Sequence, residues 1–161
     1  MQNRVIKILF GACVSIYMIL VCFNNITDYE TNHQFVCMVA GMDDVFSKAH
    51  TGWRAIHDNV LVHIMYNFII GLEMIVAVLV IAGTLRMVRS FKASASGFTQ
   101  SKRGLLIGVA LGVVLWFGLF IAIGGEWFLM WQSKTWNGQQ TAFFLTICFM
   151  LFLIYLNGHD D

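Results

Sequence analysis

Gly124-Gly125-Glu126-Trp127-Phe128-Leu129-Met130-Trp131-Gln132-Ser133-Lys134-Thr135-Trp136-Asn137-Gly138-Gln139 is a polar-aromatic run lodged between two apolar runs, 105–123 and 141–156. Each apolar run is about long enough to cross a bilayer. Three of the five tryptophans, Trp127, Trp131 and Trp136, fall in the polar run, and Glu126 stands where an apolar helix runs out. Indoles prefer the headgroup level of a membrane. The stretch therefore reads as the mouth of a small membrane bundle.

The whole chain agrees with that reading. Of its 161 residues, 58% are hydrophobic and 12% charged, and the mean hydropathy is +0.73. A soluble domain carries about 25% charged residues. Proline is absent, so the helices run without proline kinks.

Two further apolar runs lie upstream, at about 5–23 and 60–88. The first is broken only by Lys7 and Ser15 and is followed by Asn24-Asn25-Ile26-Thr27, with no small-x-small cleavage site. It is expected to be an uncleaved signal anchor. The second is longer than a span needs, which tilt accommodates, and Asp58 or Asn59 is placed to cap it. Gly104, Gly108 and Gly112 recur every four residues on one face of the third run. That spacing permits close helix–helix approach.

The predicted fold is all-α: one integral membrane domain over 1–161, a four-transmembrane-helix bundle. A helical extracytoplasmic cap is expected between helices 1 and 2, within loop 24–59. Thr31 with Gln34 fits a capping box ahead of Phe35-Val36, Gly41 suits a helix end, and a second short helix is predicted over 44–56. The other external loop is 124–140, and 89–104 is a basic connector.

Arg4, Lys7, Arg86, Arg89, Lys92, Lys102 and Arg103 fall on one side of the spans, and only Lys48, Arg54 and Lys134 on the other. Seven against three puts both termini in the cytoplasm. The acids Asp28, Glu30, Asp43, Asp44, Asp58 and Glu126 lie outside. Of the four cysteines, Cys13 and Cys148 sit in apolar runs. Whether Cys22 and Cys37 form a disulfide is left open, because spacing does not set bridging geometry.

Asn25-Ile26-Thr27-Asp28-Tyr29, Asn32, Phe35-Val36, Met42-Asp43 and Trp53-Arg54-Ala55-Ile56 resemble the first external loop of the predicted small integral membrane protein family, domain of unknown function 2165. The 124–139 stretch is similar to that family's second loop. The resemblance covers almost the whole chain. It implies a four-span inner-membrane protein of a Gram-negative bacterium, and it brings no catalytic residue with it.

Glu73 lies mid-span, where a carboxylate is expensive and marks a functional site by default. His63, Tyr66, Asn67, Ile70 and Glu73 share one helical face. One reading is a proton relay or polar ligand site. The other, preferred because Glu73 has no Lys or Arg partner at its depth in the membrane, is a protonated Glu73 that fixes bundle register. At the mouth, Glu126 either binds a ligand with Asp28 or Asp43 nearby, or pairs with Arg54; pairing is the expectation. Trp127, Trp131 and Trp136 read as interface anchors, with an aromatic cage as the alternative; Asn137 completes the motif.

His33, His50, His57 and His63 match no metal motif, and haem is disfavoured, so no cofactor is expected. Phosphate-loop and Gly-x-Ser-x-Gly motifs are missing, and the short basic connector does not suit nucleic acid. The expected role is a non-catalytic accessory, scaffold or protective component of a membrane complex, with the bilayer and a membrane protein as partners. The alternative is a transporter or a protein that binds a lipid, quinone or cation.

Overall fold

The computed structural model describes residues 1–48 and 50–160. Helix α1 spans Gln2–Thr27, α2 Tyr29–Ala40, α3 Asn59–Arg89, α4 Ala95–Ser101, α5 Arg103–Val113 and α6 Gln139–Asn157. Beyond α5 the chain continues as a π-helical segment, Val114–Trp127, and single 3₁₀ turns occur at Gly52–Arg54 and Met130–Gln132. Four helices are long and apolar enough to cross a membrane: α1, α3, the continuous run Ala95–Trp127, and α6. Each extends past both predicted ends of its span, because nothing in the flanks stops helical hydrogen bonding until a capping group or turn intervenes. Asp58 is such a group: its Oδ1 accepts from the Leu61 N–H at 2.9 Å and starts α3.

Three local expectations need correction. The Thr31 capping box does not form. Helix α1 runs on to Thr27, Asp28 alone separates it from α2, and Thr31 lies inside α2. The Asp28 N–H still bonds to Asn24 O at 2.8 Å, so the break costs little hydrogen bonding. The helix predicted over 44–56 is reduced to the turn at Gly52–Arg54. Its backbone is drawn elsewhere: the Phe46 N–H donates to Gln132 Oε1 and the Ile56 N–H to Ala40 O. Ala49, within that stretch, and Asp161, in the tail, lie outside the described residues. The connector 89–104 is also not plain loop, since it contains α4. Cys22 and Cys37 are free thiols.

The core sits where α3 meets α1 and α5. Val14, Met18, Val76, Val80, Met87, Leu105 and Val109 are buried there, with Phe149 and Leu156 from α6. The approach of α3 to α5 is limited by backbone. A Cβ on Gly83 would collide with the Leu105 main chain, and one on Gly108 would lie 3.1 Å from Val80 N. Gly104 faces the same seam, while Gly112 lies under the Phe149 ring of α6. A smaller second core, Ala40, Met42, Val62 and Phe128, ties α2 and the loops to the top of α3.

The opposite end of the bundle is closed by ions. Asp160 receives Lys7 Nζ at 2.8 Å, Lys102 Nζ at 2.7 Å and the Thr99 hydroxyl at 2.7 Å. Both lysines are 2% exposed and Asp160 5%. The second positive charge is met by backbone: Lys7 also donates to Gly158 O and His159 O, and Lys102 to Leu156 O. These carbonyls lie at and just past the end of α6, where the helix dipole favours cations. Arg4 fastens the connector by donating to Phe91 O and Ala93 O. The clasp thus joins α1, α4, α5 and the tail.

Breaking a buried ion pair from one side leaves the other charge uncompensated, at a cost of about 3–5 kcal/mol. Asp160→Asn is therefore expected to lower the unfolding free energy in detergent by about that amount, read from circular-dichroism melts. Burial would raise the Asp160 carboxyl, but hydrogen bonds from Lys102, Lys7 and Thr99 outweigh it and bring it from 3.8 down to about 2. A depressed carboxyl stabilises above its unfolded value. The clasp's contribution is thus complete above pH 3.8 and lost as pH falls through about 2, and Asp160→Asn should flatten that acid limb.

Candidate functional site

Two features stand near the α2 end of the bundle: a polar column inside it and an apolar cleft beside it. The column is built from three elements. Glu73 of α3 is 1% exposed, and Asn25 of α1 donates to its Oε2 at 2.6 Å. The Tyr66 hydroxyl donates to the Asn25 carbonyl at 3.1 Å. One turn higher, the Tyr29 hydroxyl accepts from Asn67 Nδ2 at 3.1 Å and lies 3.0 Å from His63 Nδ1. Tyr29 can then donate its own proton to that nitrogen, which fits the neutral His63 tautomer carrying hydrogen on Nε2.

His33 of α2 caps the column by lying flat on His63, with centroids 3.8 Å apart and planes 8° apart. Cys37 Sγ is 3.7 Å from the His33 ring nitrogens. Two imidazolium ions so close would repel each other strongly. Burial, and then His63, lower the His33 value below 6.5, and Glu30 acts weakly the other way. Among the described residues, no three of His, Cys, Asp or Glu converge on a metal-ligating point.

The loops at this end meet through Arg54, but the predicted Glu126–Arg54 ion pair does not form. The Arg54 guanidinium lies over the Trp127 and Trp53 rings, 4.8 and 5.5 Å from their centroids, and Nη1 donates to Trp127 O at 3.4 Å. Indole faces and a carbonyl hold the cation in place of the carboxylate, and Glu126 stays exposed. Asp43 pairs with Lys48 at 3.4 Å in the open, which contributes little. Asp28 is exposed at the junction of α1 and α2.

Each predicted interface tryptophan meets a different ring of the first loop or α2: Trp127 with Trp53, Trp131 with Phe46, and Trp136 with Phe35. Asp44 adds a polar tie. It accepts the Ser133 hydroxyl at 2.6 Å, and Ser133 Oγ in turn accepts the Trp136 N–H. The Ser133 hydrogen bond is the main cause of the lowered Asp44 carboxyl value. Asn137 folds its own loop by accepting from the Gln139 N–H and donating to Trp131 O.

The cleft lies between α2, α3 and the π-helical segment. Its volume is about 250 Å³, and Val39, Met65, Phe68, Leu119, Ile123 and Phe128 are among its walls. Every lining side chain is apolar. Phe68 and Ile123, 58% and 45% exposed, sit at the opening onto the surface that faces lipid. In a π turn the N–H bonds five residues back, as Phe128 N does to Ile123 O at 3.0 Å. Leu119, the adjacent pair Ile123 and Gly124, and Phe128, four or five residues from turn to turn, are thereby presented to one cleft.

This geometry belongs to an integral membrane protein, and the comparison with known families agrees. The profile of the predicted small integral membrane protein family, domain of unknown function 2165, matches residues 3–159. The chain belongs to that family. No curated protein and no solved structure matches it.

Of the column residues expected from sequence, His63, Tyr66, Asn67 and Glu73 all take part. Their partners Asn25, Tyr29 and His33 come from α1 and α2 and were not anticipated. They recur every four residues, so a search for a second polar stripe would have found them. The cleft has no such signal, because its walls are ordinary span residues.

The stacked histidines make α2 docking sensitive to pH. A histidine held below 6.5 takes up its proton more readily when undocked, so the stabilisation is complete above about 6.5 and declines below it. Spin labels at exposed Gln34 and Ile64 should report α2 moving from α3 as pH drops from about 8 to about 5. His33→Phe keeps a ring on His63 and should remove most of that change.

Proposed function

We propose that this protein is a non-catalytic component of a membrane assembly, an accessory or scaffold subunit that acts through its outer faces. The observation that carries this reading is the state of Glu73. The one acid placed mid-span is 1% exposed, bonded to Asn25 across the α1–α3 seam, and is not a wall of the apolar cleft. A carboxylate sealed in this way fixes helix register; a conducting one needs water or a cavity. The excess of basic residues at the termini and connector supports an orientation with that end in the cytoplasm of a bacterial inner membrane.

A second reading, a protein that binds a small membrane ligand, is favoured by the apolar cleft. None of the walls of that cleft belongs to the polar stripe of His63, Tyr66, Asn67 and Glu73.

Glu73→Gln preserves shape and keeps an acceptor for Asn25. It is expected to accumulate in membranes at the wild-type level, with cellular phenotype unchanged. Loss of phenotype at normal abundance would instead make Glu73 a working proton carrier. Asn25→Leu leaves Glu73 without its donor and is expected to lower stability by about 1–3 kcal/mol. A photo-crosslinker at Ile16 or Ile154, 59% and 69% exposed, should give one discrete adduct with a membrane protein; only random products would count against a subunit role.

A further inference from the structure

We propose that the cleft beside α2 holds one acyl chain of a membrane phospholipid whose phosphate rests on Arg54. The proposal rests on the small-ligand reading and names its ligand. Two independent observations point to it.

The first is the cleft. Its walls are apolar throughout, and its opening at Phe68 and Ile123 lies on the lipid-facing surface. On α3 its wall runs from Met65 to Ile69, about 6 Å of helix. The volume of about 250 Å³ exceeds the ~150 Å³ that admits benzene and falls below the ~300 Å³ at which pockets enclose whole drug-sized ligands. Part of one hydrocarbon chain fits; a headgroup or a whole lipid does not. The bilayer supplies such chains at high concentration against the opening.

The second is Arg54. No carboxylate lies within ion-pair distance of it among the described residues. Its buried Nε has no hydrogen-bond partner. Its Nη1 donates to the carbonyl of Trp127, the peptide that leads into Phe128, and Phe128 is a wall of the cleft. Trp53 and Trp127, 73% and 44% exposed, flank the guanidinium. The indoles set this level at the membrane interface. A planar fork of donors held there, bonded to the residue next to a wall of the cleft, suits a phosphate diester.

The surrounding charge selects the headgroup. The two loops at this end carry six carboxylates, Asp28, Glu30, Asp43, Asp44, Asp58 and Glu126, against the three cations Lys48, Arg54 and Lys134. A headgroup with net negative charge is repelled. One that carries its own ammonium, as phosphatidylethanolamine does, is accepted.

The full chain, purified in detergent, is titrated with phosphatidylethanolamine, phosphatidylglycerol or diacylglycerol and read by native mass spectrometry. The wild type is expected to retain one phosphatidylethanolamine, about tenfold tighter than either other lipid. Val39→Trp and Ile123→Trp fill the cleft from opposite walls, and each should lower retention at least tenfold while its circular-dichroism melt stays cooperative. Arg54→Gln should bind phosphatidylethanolamine and diacylglycerol alike. If Arg54→Gln keeps the wild-type preference, the phosphate assignment is wrong and the small-ligand reading stands. If both filled variants bind as the wild type does, or the wild type retains no lipid, the chain site and the small-ligand reading fall together.

Discussion

A polar group buried away from water has to find its partner inside the protein, because leaving it unpaired is costly. Two such groups govern this bundle. Glu73 meets Asn25 within the bundle, and Asp160 meets Lys7 and Lys102 at its α6 C-terminal end. Apolar contact alone discriminates weakly among helix arrangements in lipid, since lipid tails are as apolar as leucine. These two polar fastenings therefore set which helices are neighbours and at what height.

Between the fastenings, backbone packing takes over. Gly83 and Gly108 let α3 and α5 approach until main chain meets main chain. Ser15 and Thr84 add a hydroxyl contact of 3.3 Å between α1 and α3. Helix α3 is thus fixed along its length by α1 on one side and α5 on another. Helix α2 is different: it is held by stacked imidazoles, a small apolar cluster and loop contacts. It also forms one wall of the cleft. The column and the cleft share that helix.

The π-helical segment gives the cleft its other wall. Such stretches are rare and are often found at functional sites. Here the widened turn presents Leu119, Ile123 and Phe128 to one side, while Trp116 is turned inward with its indole N–H unbonded. Nothing in the local sequence 114–127 marks this geometry, since the stretch reads as an ordinary apolar helix. The Glu126–Arg54 pair misled for a related reason. Opposite charge was legible, but aromatic faces that compete for the same guanidinium become visible only when Trp53 and Trp127 stand side by side.

The sequence by itself determined four spans, the polar half of the column on α3, and the glycine face on the third span. Each follows from periodicity or from a run length that the bilayer thickness imposes, and both are local properties of a chain. The tertiary structure alone decided what those groups meet. Asp160 finds Lys7 across 153 positions of sequence and Asn25 finds Glu73 across 48, and the cleft is an empty volume between three elements. Partnership and empty space are properties of how helices are placed, so no stretch of sequence carries them.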